Sequence, residues 1–448
     1  MFQIFKIINP VWYYNLPTKN GNDLQWVDYR KLNMELCETI DLCEDYEDPK
    51  VKVFDASYQL LIGGLINIKQ SKILINKQSY YPKSLRDQYL FLRRFNKPIW
   101  VFFAFLIRLL SMNNPIKEMK GFFGSNIKKA LYKSSFLHLN EKFEFFKSHL
   151  VLKKPKISII IPTLNRYEQL KDILIDLESQ SYKNFEIIIV DQSDRFDKAF
   201  YENFNFEIDL IRQKTRALWK ARNQAVKKSS GEYILLLDDD SRVANDWIEQ
   251  HVKCIDYFKS EISAGASLNE NGNFSENENY FRWGDKLDTG NVMLKREIFY
   301  KCGLFDTKFE KMRMGDHEYG VRCYINDYKI VHNPKAQRIH SKAPTGGLRV
   351  FGQWDGLRGL NFFTPRPIPS ILYLFRKYWG NKLTLYFLLK TLPLTINTFK
   401  YKYKKSGKII SLLLFIIFLP IILIQVFAAW TKSSFLLSGK DGIEYLDS

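Results

Sequence analysis

Residues 155–191 read PKISIIIPTLNRYEQLKDILIDLESQSYKNFEIIIVD and decide the predicted fold. The isoleucine-rich run at 157–161 predicts a buried strand, and the apolar spacing over 167–177 predicts a helix. A second apolar run at 185–190 ends at Asp191 and predicts another strand. Two parallel strands joined by a helix form a βαβ unit, so this stretch predicts a parallel sheet covered by helices.

The same alternation continues downstream of this unit. A strand is predicted at 208–211, a helix at 218–228 and a strand at 233–237. We therefore predict an α/β domain over 153–350, with a mostly parallel sheet and helices on both faces. Polar residues follow the ends of these strands, and ligands bind at the carboxyl edge of such sheets. We expect Thr163, Asn165, Arg166, Asp191 and Asp238–Asp240 to converge on one crevice.

Two further regions flank this domain. Residues 1–152 form an N-terminal extension to which no function is assigned, with strand-like pieces at 51–54 and 72–75 and a basic, Phe-rich helical pattern over 91–147. In this second half, packing against the tail and contact with lipid both remain open. Residues 351–448 form a basic tail with apolar and amphipathic helical patterns.

Composition restricts the class of protein. The 448 residues carry a formal net charge of +19, with 46% hydrophobic and 26% charged residues, which is typical of a globular chain. The five cysteines are scattered without CxxC pairs, which indicates neither a disulfide framework nor a zinc site. The first ten residues lack the pattern of a secretory signal, so a cytoplasmic location is predicted for the catalytic part.

The positive charge is concentrated in the tail, where no acid occurs between Asp355 and Asp441. This tail contains the apolar run 409–430, which as one helix would reach roughly 33 Å, close to the thickness of a bilayer core. Lysines and tyrosines at 401–408 precede it and favour the cytoplasmic side. We predict that this run associates with the cytoplasmic face of the membrane. It would either span the bilayer or form two in-plane helices broken at Pro420. The alternative is a buried helix of a soluble domain. No motif of a nucleic-acid-binding module accompanies the charge, so nucleic acid is not a predicted partner.

Three acids, Asp238–Asp240, follow the predicted strand at 233–237 directly. Asp238 and Asp240 alternate along an extended segment, so both carboxylates can face one cation. Mg²⁺ and Mn²⁺ prefer oxygen ligands and share them with substrate phosphates. The alternative is a solvated acidic turn before the next helix.

A second acidic cluster lies at 313–322, reading RMGDHEYGVR. Asp316 and Glu318 are predicted to open a helix, which would leave one carboxylate free to act as a general base. The alternative is a helix cap with Glu318 and Arg322 paired at i and i+4. We prefer this structural interpretation for Glu318.

Four blocks of sequence together resemble one enzyme family. KISIIIPTLNRYEQLKDILIDLESQSYKNFEIIIVDQSD, ALWKARNQAVKKSSGEYILLLDDDS, GNVMLKREIFYKCGLFDTKF and GDHEYGVRCYINDYKIVHNPKAQRIH occur in this order between about 155 and 345. In this order they resemble family 2 glycosyltransferases of the GT-A fold, of the type that builds bacterial surface polysaccharides. The resemblance implies a Rossmann-like sheet and inverting, metal-dependent transfer of a sugar from a nucleoside diphosphate donor to a hydroxyl of a glycan or lipid-linked acceptor.

The resemblance also implies roles for individual residues. Asp316 matches the catalytic base, although Gly315 stands where the family has the first acid of a Glu-Asp pair. Asn291 and Glu318 are weak predicted acceptor contacts. The implied donor-binding residues are Pro162, Thr163, Arg166, Asp191, Arg222, Asp238 and Asp239, and the implied ligands of Mg²⁺ or Mn²⁺ are Asp238, Asp240 and His340.

The histidines and one loop give less specific signals of function. His340 ends a strand-like run that points back to the site, whereas His317 and His332 are interpreted as ordinary surface or buried residues. Residues 341–349 contain two glycines and Arg349, a composition that suits either a mobile lid or a plain turn.

A UDP-sugar is the favoured donor. An inactive scaffold and a nucleotidyltransferase remain as alternative functions, the latter disfavoured because no Gly-rich triphosphate loop follows the first strand.

Overall fold

A nine-stranded mixed sheet forms the centre of the molecule. The computed structural model describes residues 3–21, 26–32, 34–66, 83–125, 142–268, 279–284, 287–341, 357, 364–396 and 404–446. The strands are β1 (Ile157–Thr163), β2 (Phe185–Asp191), β3 (Ile208–Arg212), β4 (Tyr233–Leu237), β5 (Ser241–Val243), β6 (Ile262–Leu268), β7 (Arg282–Trp283), β8 (Asn291–Lys295) and β9 (Ile330–His340).

Helices precede, connect and follow these strands. Those of the N-terminal region are α1 (Phe5–Ile8), α2 (Met34–Cys37), α3 (Pro49–Ile62), α4 (Leu85–Phe95), α5 (Pro98–Leu110), α6 (Pro115–Phe123) and α7 (His149–Lys153). Those within the sheet region are α8 (Tyr167–Glu178), α9 (Leu218–Lys228), α10 (Trp247–Phe258), α11 (Ile298–Cys302) and α12 (Gly315–Ile325). The tail contains α13 (Pro369–Thr391), α14 (Lys405–Ile417) and α15 (Leu419–Ser438).

The order of the strands places the ends of β1 and β4 side by side. It runs β3-β2-β1-β4-β8-β6-β9-β5, with β7 paired to β9. β1, β2, β3 and β4 are parallel, and β8 runs antiparallel between β4 and β6. The predicted βαβ units are therefore confirmed, but the sheet is mixed: among the described strands four pairings are parallel and four are antiparallel. β8 is a short antiparallel insertion that the pattern of the sequence did not reveal.

The two faces of the sheet bury different sets of side chains. Along β1, Ile159 and Ile161 belong to one buried cluster with α8 and α10, whereas Ile160 belongs to the other. This alternation follows from the period of two in a strand. Because both faces are covered, β1, β2 and β4 are mainly apolar instead of alternating regularly with polar residues.

The N-terminal region shares its core with the second face. Phe5, Tyr13 and Phe91 lie in the same buried cluster as Ile160 and Tyr373. The buried core continues across both predicted boundaries, and the three-part division stays a prediction. The extension is thus part of the framework of the central sheet.

The predicted strand at 51–54 is wrong. These residues lie inside helix α3, which starts where the Asp48 carboxylate accepts a hydrogen bond from the Lys50 N–H and Pro49 occupies the first turn. This capping pattern outweighs the β-branched residues that suggested a strand. The other predicted strand piece, 72–75, lies outside the described residues, as does the predicted lid segment at 342–349.

The apolar run 409–430 is broken into two helices. α14 ends at Ile417 and α15 begins at Leu419, with Pro420 in the first turn of α15. A single helix over the whole run is therefore wrong, and the break matches the alternative that Pro420 suggested. Among the described residues, α15 is the one helix whose length and composition would allow it to cross a membrane.

The tail is attached to the sheet region at several points. One face of α15 packs on α13, where Arg376 Nη1 donates to the Trp430 carbonyl over 3.0 Å. After α15 the chain returns to the sheet region, and the Glu444 carbonyl accepts from the Leu304 N–H at 2.7 Å. The Gly442 carbonyl accepts from the Thr307 N–H at 3.0 Å. The tail is therefore fixed to the segment that precedes α12.

Candidate active site

The loop after β1 reaches the acidic triplet after β4. Arg166 Nη1 donates to Asp239 Oδ1 at 2.9 Å and to Asp240 Oδ2 at 2.8 Å. The Thr163 hydroxyl donates to Asp239 Oδ2 at 2.9 Å. These contacts arise because β1 and β4 are parallel neighbours, so both strands end at the same edge.

A left-handed residue shapes this loop. Asn165 has φ 55°, a conformation that asparagine tolerates better than most residues. Its backbone N–H donates to the Ser193 hydroxyl at 2.8 Å, and its amide donates to Asp194 Oδ2 at 2.8 Å. The loop after β1 is thereby tied to the loop after β2. Pro162 and Thr163, predicted to follow the strand, instead form its last two residues and are buried.

Asp238 lies between two buried arginines. Arg222 Nη2 donates to its Oδ1 at 2.8 Å, and Arg338 Nη1 donates to its Oδ2 at 3.0 Å. Arg338 also donates to the Ser241 and Ser267 hydroxyls and to Asp288 Oδ2. Asp288 and Asp238 raise the pKa of Arg338 although its burial opposes the charged form. The two guanidiniums hold the Asp238 carboxylate at the edge of the sheet.

Asp240 lies next to His340. The end of β9 pairs with β5 so that His340 lies opposite Ser241, and His340 Nε2 is 3.2 Å from Asp240 Oδ1. Burial acts to raise the pKa of Asp240, but the hydrogen bond from His340 and the charge of Arg166 prevail, and the pKa is lowered. By contrast, burial raises the pKa of Asp239 to about 6 despite the charge of Arg166.

Carboxylates and guanidiniums alternate at the site. The carboxylates of Asp238, Asp239, Asp240 and Asp288 pair with the guanidiniums of Arg166, Arg222 and Arg338, so this group has one more carboxylate than guanidinium. Among the described residues, no group of three or more His, Cys, Asp or Glu side chains is placed to hold a metal ion. The Asp240 carboxylate oxygen and the His340 ring nitrogen nevertheless lie next to each other and could both be ligands of one metal ion. A cation that keeps water and phosphate ligands, as Mg²⁺ and Mn²⁺ do, fits such a partial set.

Asp191 is more deeply placed than the sequence suggested. Its side chain is fully buried, with Oδ2 accepting from the Tyr167 and Tyr201 hydroxyls at 2.6 and 2.8 Å. Its Oδ1 accepts from the Ser193 N–H at 2.7 Å. Asp191 therefore orders the loops at the end of β2, and its direct contact with a nucleotide stays a prediction.

Asp316 lies in the first turn of α12 and is half-buried. Its Oδ1 accepts from the His317 N–H at 2.8 Å, and helix α12 is held by the Tyr13 hydroxyl, which donates to the His317 carbonyl at 2.8 Å. The adjacent Gly315 packs against Trp219, since a Cβ built at Gly315 would lie 2.4 Å from the indole Cζ2. The indole thus occupies the space that the family's first acid would need.

The two predicted acceptor residues are structural. Glu318 is fully buried and forms the predicted i,i+4 ion pair with Arg322 at 2.8 Å, while the Tyr378 hydroxyl of α13 also donates to it. Asn291 is fully buried, with its amide nitrogen donating to the Ala266 and Ala336 carbonyls. Both side chains are fully buried, and the weak predicted acceptor role of Asn291 and Glu318 stays a prediction.

Arg338 and Asp288 are site residues that the sequence reasoning missed. Arg338 precedes His340 by two positions on β9, so the period of a strand places both on one face. This spacing was the available signal. Gly290, next to Asn291, belongs to the same group, because a Cβ there would lie 2.1 Å from Arg338 Nη1 and 2.3 Å from Asp238 Oδ2.

Comparison with known proteins agrees with this geometry. The model of the family described as "Glycosyl transferase family 2" matches residues 158–314, which include β1, the acidic triplet and the segment up to α12. The chain contains a family 2 glycosyltransferase domain. The matched residues include β2 to β8 of the mixed α/β sheet described above.

Curated bacterial glycosyltransferases are similar to the glycosyltransferase domain. Glycosyltransferase GlyA of Streptococcus pneumoniae is 31% identical over 169 residues, covering 37% of this chain and 23% of that protein. The PGL/p-HBAD biosynthesis glycosyltransferase of Mycobacterium bovis is 28% identical over 188 residues, covering 38% of this chain and 71% of that protein. The GalNAc(5)-diNAcBac-PP-undecaprenol beta-1,3-glucosyltransferase of Campylobacter jejuni is 23% identical over 197 residues, with 42% and 62% coverage. The matches thus span less than a quarter of the pneumococcal protein and about two thirds of the other two.

Solved structures show a partial likeness. A mannosyltransferase from Pyrobaculum calidifontis in complex with GDP-Man and Mn²⁺ has a TM-score of 0.39 at 14% identity, covering 68% of this chain and 85% of that chain. GalNAc-T7 with UDP, GalNAc and Mn²⁺ has a TM-score of 0.43 at 14% identity, with 55% and 52% coverage.

Proposed function

We propose that the protein transfers a sugar from a nucleoside diphosphate donor to a hydroxyl of a glycan or lipid-linked acceptor, with inversion at the anomeric carbon. The observation that carries this proposal is the meeting of Arg166, Asp240 and His340 at the end of β4. Three separated blocks of the family 2 sequence pattern contribute one residue each to this contact.

The diphosphate of the donor would bind at this edge of the sheet. The carboxylates of the acidic triplet would attract a divalent cation. The guanidinium of Arg166, which contacts Asp239 and Asp240, would contact a phosphate beside that cation. Asp240 and His340 would hold Mg²⁺ or Mn²⁺, and Asp238 would contribute only by exchanging one of its arginine contacts. When bound, such a cation neutralises charge that develops on the leaving diphosphate. Arg222 and Arg338 would keep Asp238 oriented towards the donor.

Asp316 would act as the general base. Its carboxylate would accept the proton of the acceptor hydroxyl while the acceptor oxygen forms a bond to the anomeric carbon. The bond between that carbon and the diphosphate oxygen breaks in the same step, and the nucleoside diphosphate leaves from the opposite face. The single displacement therefore inverts the anomeric configuration.

The acceptor is proposed from the tail and from one relative. The Campylobacter protein is named for a PP-undecaprenol-linked acceptor, and α15 is long and apolar enough to enter a bilayer. A lipid-linked glycan of bacterial surface polysaccharide synthesis, at the cytoplasmic face of the membrane, is the acceptor class that fits both observations. A UDP-sugar is the favoured donor.

The test combines a donor screen with single substitutions. The full chain in membranes is incubated with a panel of nucleotide sugars and Mn²⁺, and transfer or donor hydrolysis is followed by mass spectrometry. Asp316→Asn is expected to lower turnover by about 10²- to 10⁴-fold while the donor affinity measured by calorimetry is kept. Asp240→Asn is expected to remove the metal dependence of donor binding. Asp172→Asn, an exposed acid on α8, is the matched control and should leave both values unchanged.

Several outcomes would contradict the proposal. Wild-type turnover of Asp316→Asn would remove that residue from the role of base. Retention of the anomeric configuration in the product, determined by NMR, would exclude the single displacement. Release of pyrophosphate from a nucleoside triphosphate would indicate a nucleotidyltransferase, and no reaction with any donor would indicate an inactive scaffold.

A further inference from the structure

Helices α5 and α6 of the N-terminal region expose a large apolar surface. On α5, Ile99, Phe102, Leu106 and Leu110 are 63%, 45%, 41% and 79% exposed. Their spacing of three, four and four residues places them on one face of the helix. The opposite face of α5 is buried, with Val101 and Ala104 at 0%.

Helix α6 extends this surface. Ile116 and Phe123 are 65% and 68% exposed. The ring of Phe122 joins the two helices, because its centroid lies 4.5 Å from that of Phe105 and 5.2 Å from that of Phe123. The exposed faces of α5 and α6 therefore meet near Phe122.

The charges around this surface have one sign. Lys97, Lys117 and Lys120 are exposed, and Glu118 is the one acid between 97 and 123. Glu118 is 1% exposed and accepts hydrogen bonds from the Arg108 guanidinium and the Tyr89 hydroxyl. Within residues 97–123 the exposed charged side chains beside the apolar surface are thus all cations, the arrangement of a helix that lies on an anionic bilayer.

The surface also continues towards the tail. Lys390 of α13 donates to the Ile8 carbonyl, and its Nζ lies 5.1 Å from the centre of the Trp100 ring on α5. Leu385 and Leu389, one turn apart on α13, are 48% and 52% exposed. On the same segment of α13, after the break at Gly380, Leu388 is buried in one cluster with Ala429 of α15. The apolar face of α5 and the candidate membrane helix are therefore joined through α13.

We propose that α5 and α6 form a second membrane-binding surface, which lies in the plane of an anionic lipid bilayer and acts separately from α15. Thirteen residues give α5 a length of roughly 20 Å, which is too short to span a bilayer core of about 30 Å. The helix therefore inserts its apolar face between headgroups while the lysines contact lipid phosphates. This inference does not depend on the proposed reaction, because it concerns lipid contact alone.

The experiment measures the depth of single positions in the full chain. A fluorophore is attached to cysteine at position 110, in protein whose half-buried Cys37 is replaced by serine; the other cysteines, Cys43, Cys254, Cys302 and Cys323, are buried. The protein is reconstituted into vesicles of phosphatidylglycerol and phosphatidylcholine with brominated acyl chains. Matched probes at position 175, exposed on α8, and at position 427, exposed on α15, serve as controls.

Bromine is expected to quench the probes at 110 and 427 but not the probe at 175. The triple variant Lys97→Glu, Lys117→Glu, Lys120→Glu should lower the ratio of lipid-buried to water-exposed probe at 110 by at least about tenfold, and leave position 427 unchanged. Quenching at 110 no stronger than at 175 overturns the proposal. Shielding of position 110 without lipid, with crosslinks between two copies of the chain, also overturns it and indicates a dimer interface.

Discussion

At the scale of single residues, buried polar groups of the domain are organised by hydrogen bonds between neighbouring elements. His251 of α10 is fully buried, with Nδ1 2.9 Å from the Ser263 hydroxyl and Nε2 3.1 Å from Asn291 Oδ1. Asn291 Oδ1 also accepts from Trp247 Nε1. A neutral imidazole satisfies both contacts, with Nε2–H donating to Asn291 Oδ1 and Nδ1 accepting from the Ser263 hydroxyl.

His251 is expected to make the protein less stable in mild acid. Burial lowers its pKa to about 4, whereas the unfolded chain keeps a value of about 6.5. Between these values the unfolded state binds more protons, so the free energy of unfolding falls as the pH drops from 6.5 to 4, by about 3 kcal/mol at most. Thermal unfolding of the detergent-solubilised protein across this range measures the effect.

His251→Gln is expected to weaken this pH dependence even if it lowers stability at pH 7. His149→Gln, at the exposed start of α7, should keep the wild-type dependence. An unchanged pH profile in His251→Gln would show that other groups cause the loss of stability.

Gly315, the departure from the family pattern, is closely packed against Trp219. The close approach of Trp219 leaves no room for a side chain at this position. Gly315→Ala is expected to destabilise the protein by about 1–3 kcal/mol, through overpacking against the indole. The double variant Gly315→Ala, Trp219→Leu should recover part of this loss, as measured by thermal unfolding. Additive effects of the two substitutions would show that they do not share this contact.

At the scale of elements, Arg338 connects three parts of the sheet. From β9 it contacts Asp238 after β4, Ser267 of β6 and Asp288 before β8. These partners come from segments far apart in the sequence, so the group forms only when the sheet has assembled. The guanidinium therefore acts as a fixed support beside the acidic triplet Asp238–Asp240.

Arg338→Met is expected to cost about 3–5 kcal/mol of stability, because it leaves Asp238 and Asp288 without their shared buried partner. Arg242→Met is the matched control, since Arg242 also pairs with an aspartate, Asp176, but its side chain is 47% exposed. The control should change stability by less than about 1 kcal/mol. Denaturant unfolding of the two variants gives the comparison, and equal losses would contradict the structural role of Arg338.

At the scale of the whole molecule, the tail belongs to the framework of the domain and is a candidate membrane anchor as well. Removing residues 408–448 would delete α15 and the hydrogen bonds of Gly442 and Glu444 to the 304–307 segment. Loss of membrane binding in such a truncated protein would therefore be ambiguous. Substitutions on the exposed face of α15 avoid this difficulty.

Ile424→Asn combined with Phe427→Asn is expected to reduce membrane binding without a change in thermal stability. Both side chains are exposed, at 68% and 73%, so they contribute little to the packed core. Binding is measured by sedimentation with neutral vesicles at high salt, where the charge-dependent contact of α5 and α6 is weak. Ile175→Asn on α8 is the control. Sedimentation equal to that of the wild type would contradict membrane anchoring through α15.

The sequence by itself determined the elements whose signals are local. Isoleucine runs followed by helical spacing identified β1, β2, α8 and α9, and the acids after β4 were placed correctly because strands end where the apolar run ends. The period of two and the helical period are properties of the chain alone. The same holds for the Glu318–Arg322 pair, whose members are one helical turn apart.

Tertiary structure decided which polar residues are accessible and which are buried. Asp191, Asn291 and Glu318 have the residue types of a binding site, but their partners come from other elements, and burial depends on the assembled sheet. Arg338 and Trp219 acquire their roles for the same reason. The energy of a charged or polar group is set by neighbours distant in sequence, whereas the pattern of strands and helices is set by residues adjacent to one another.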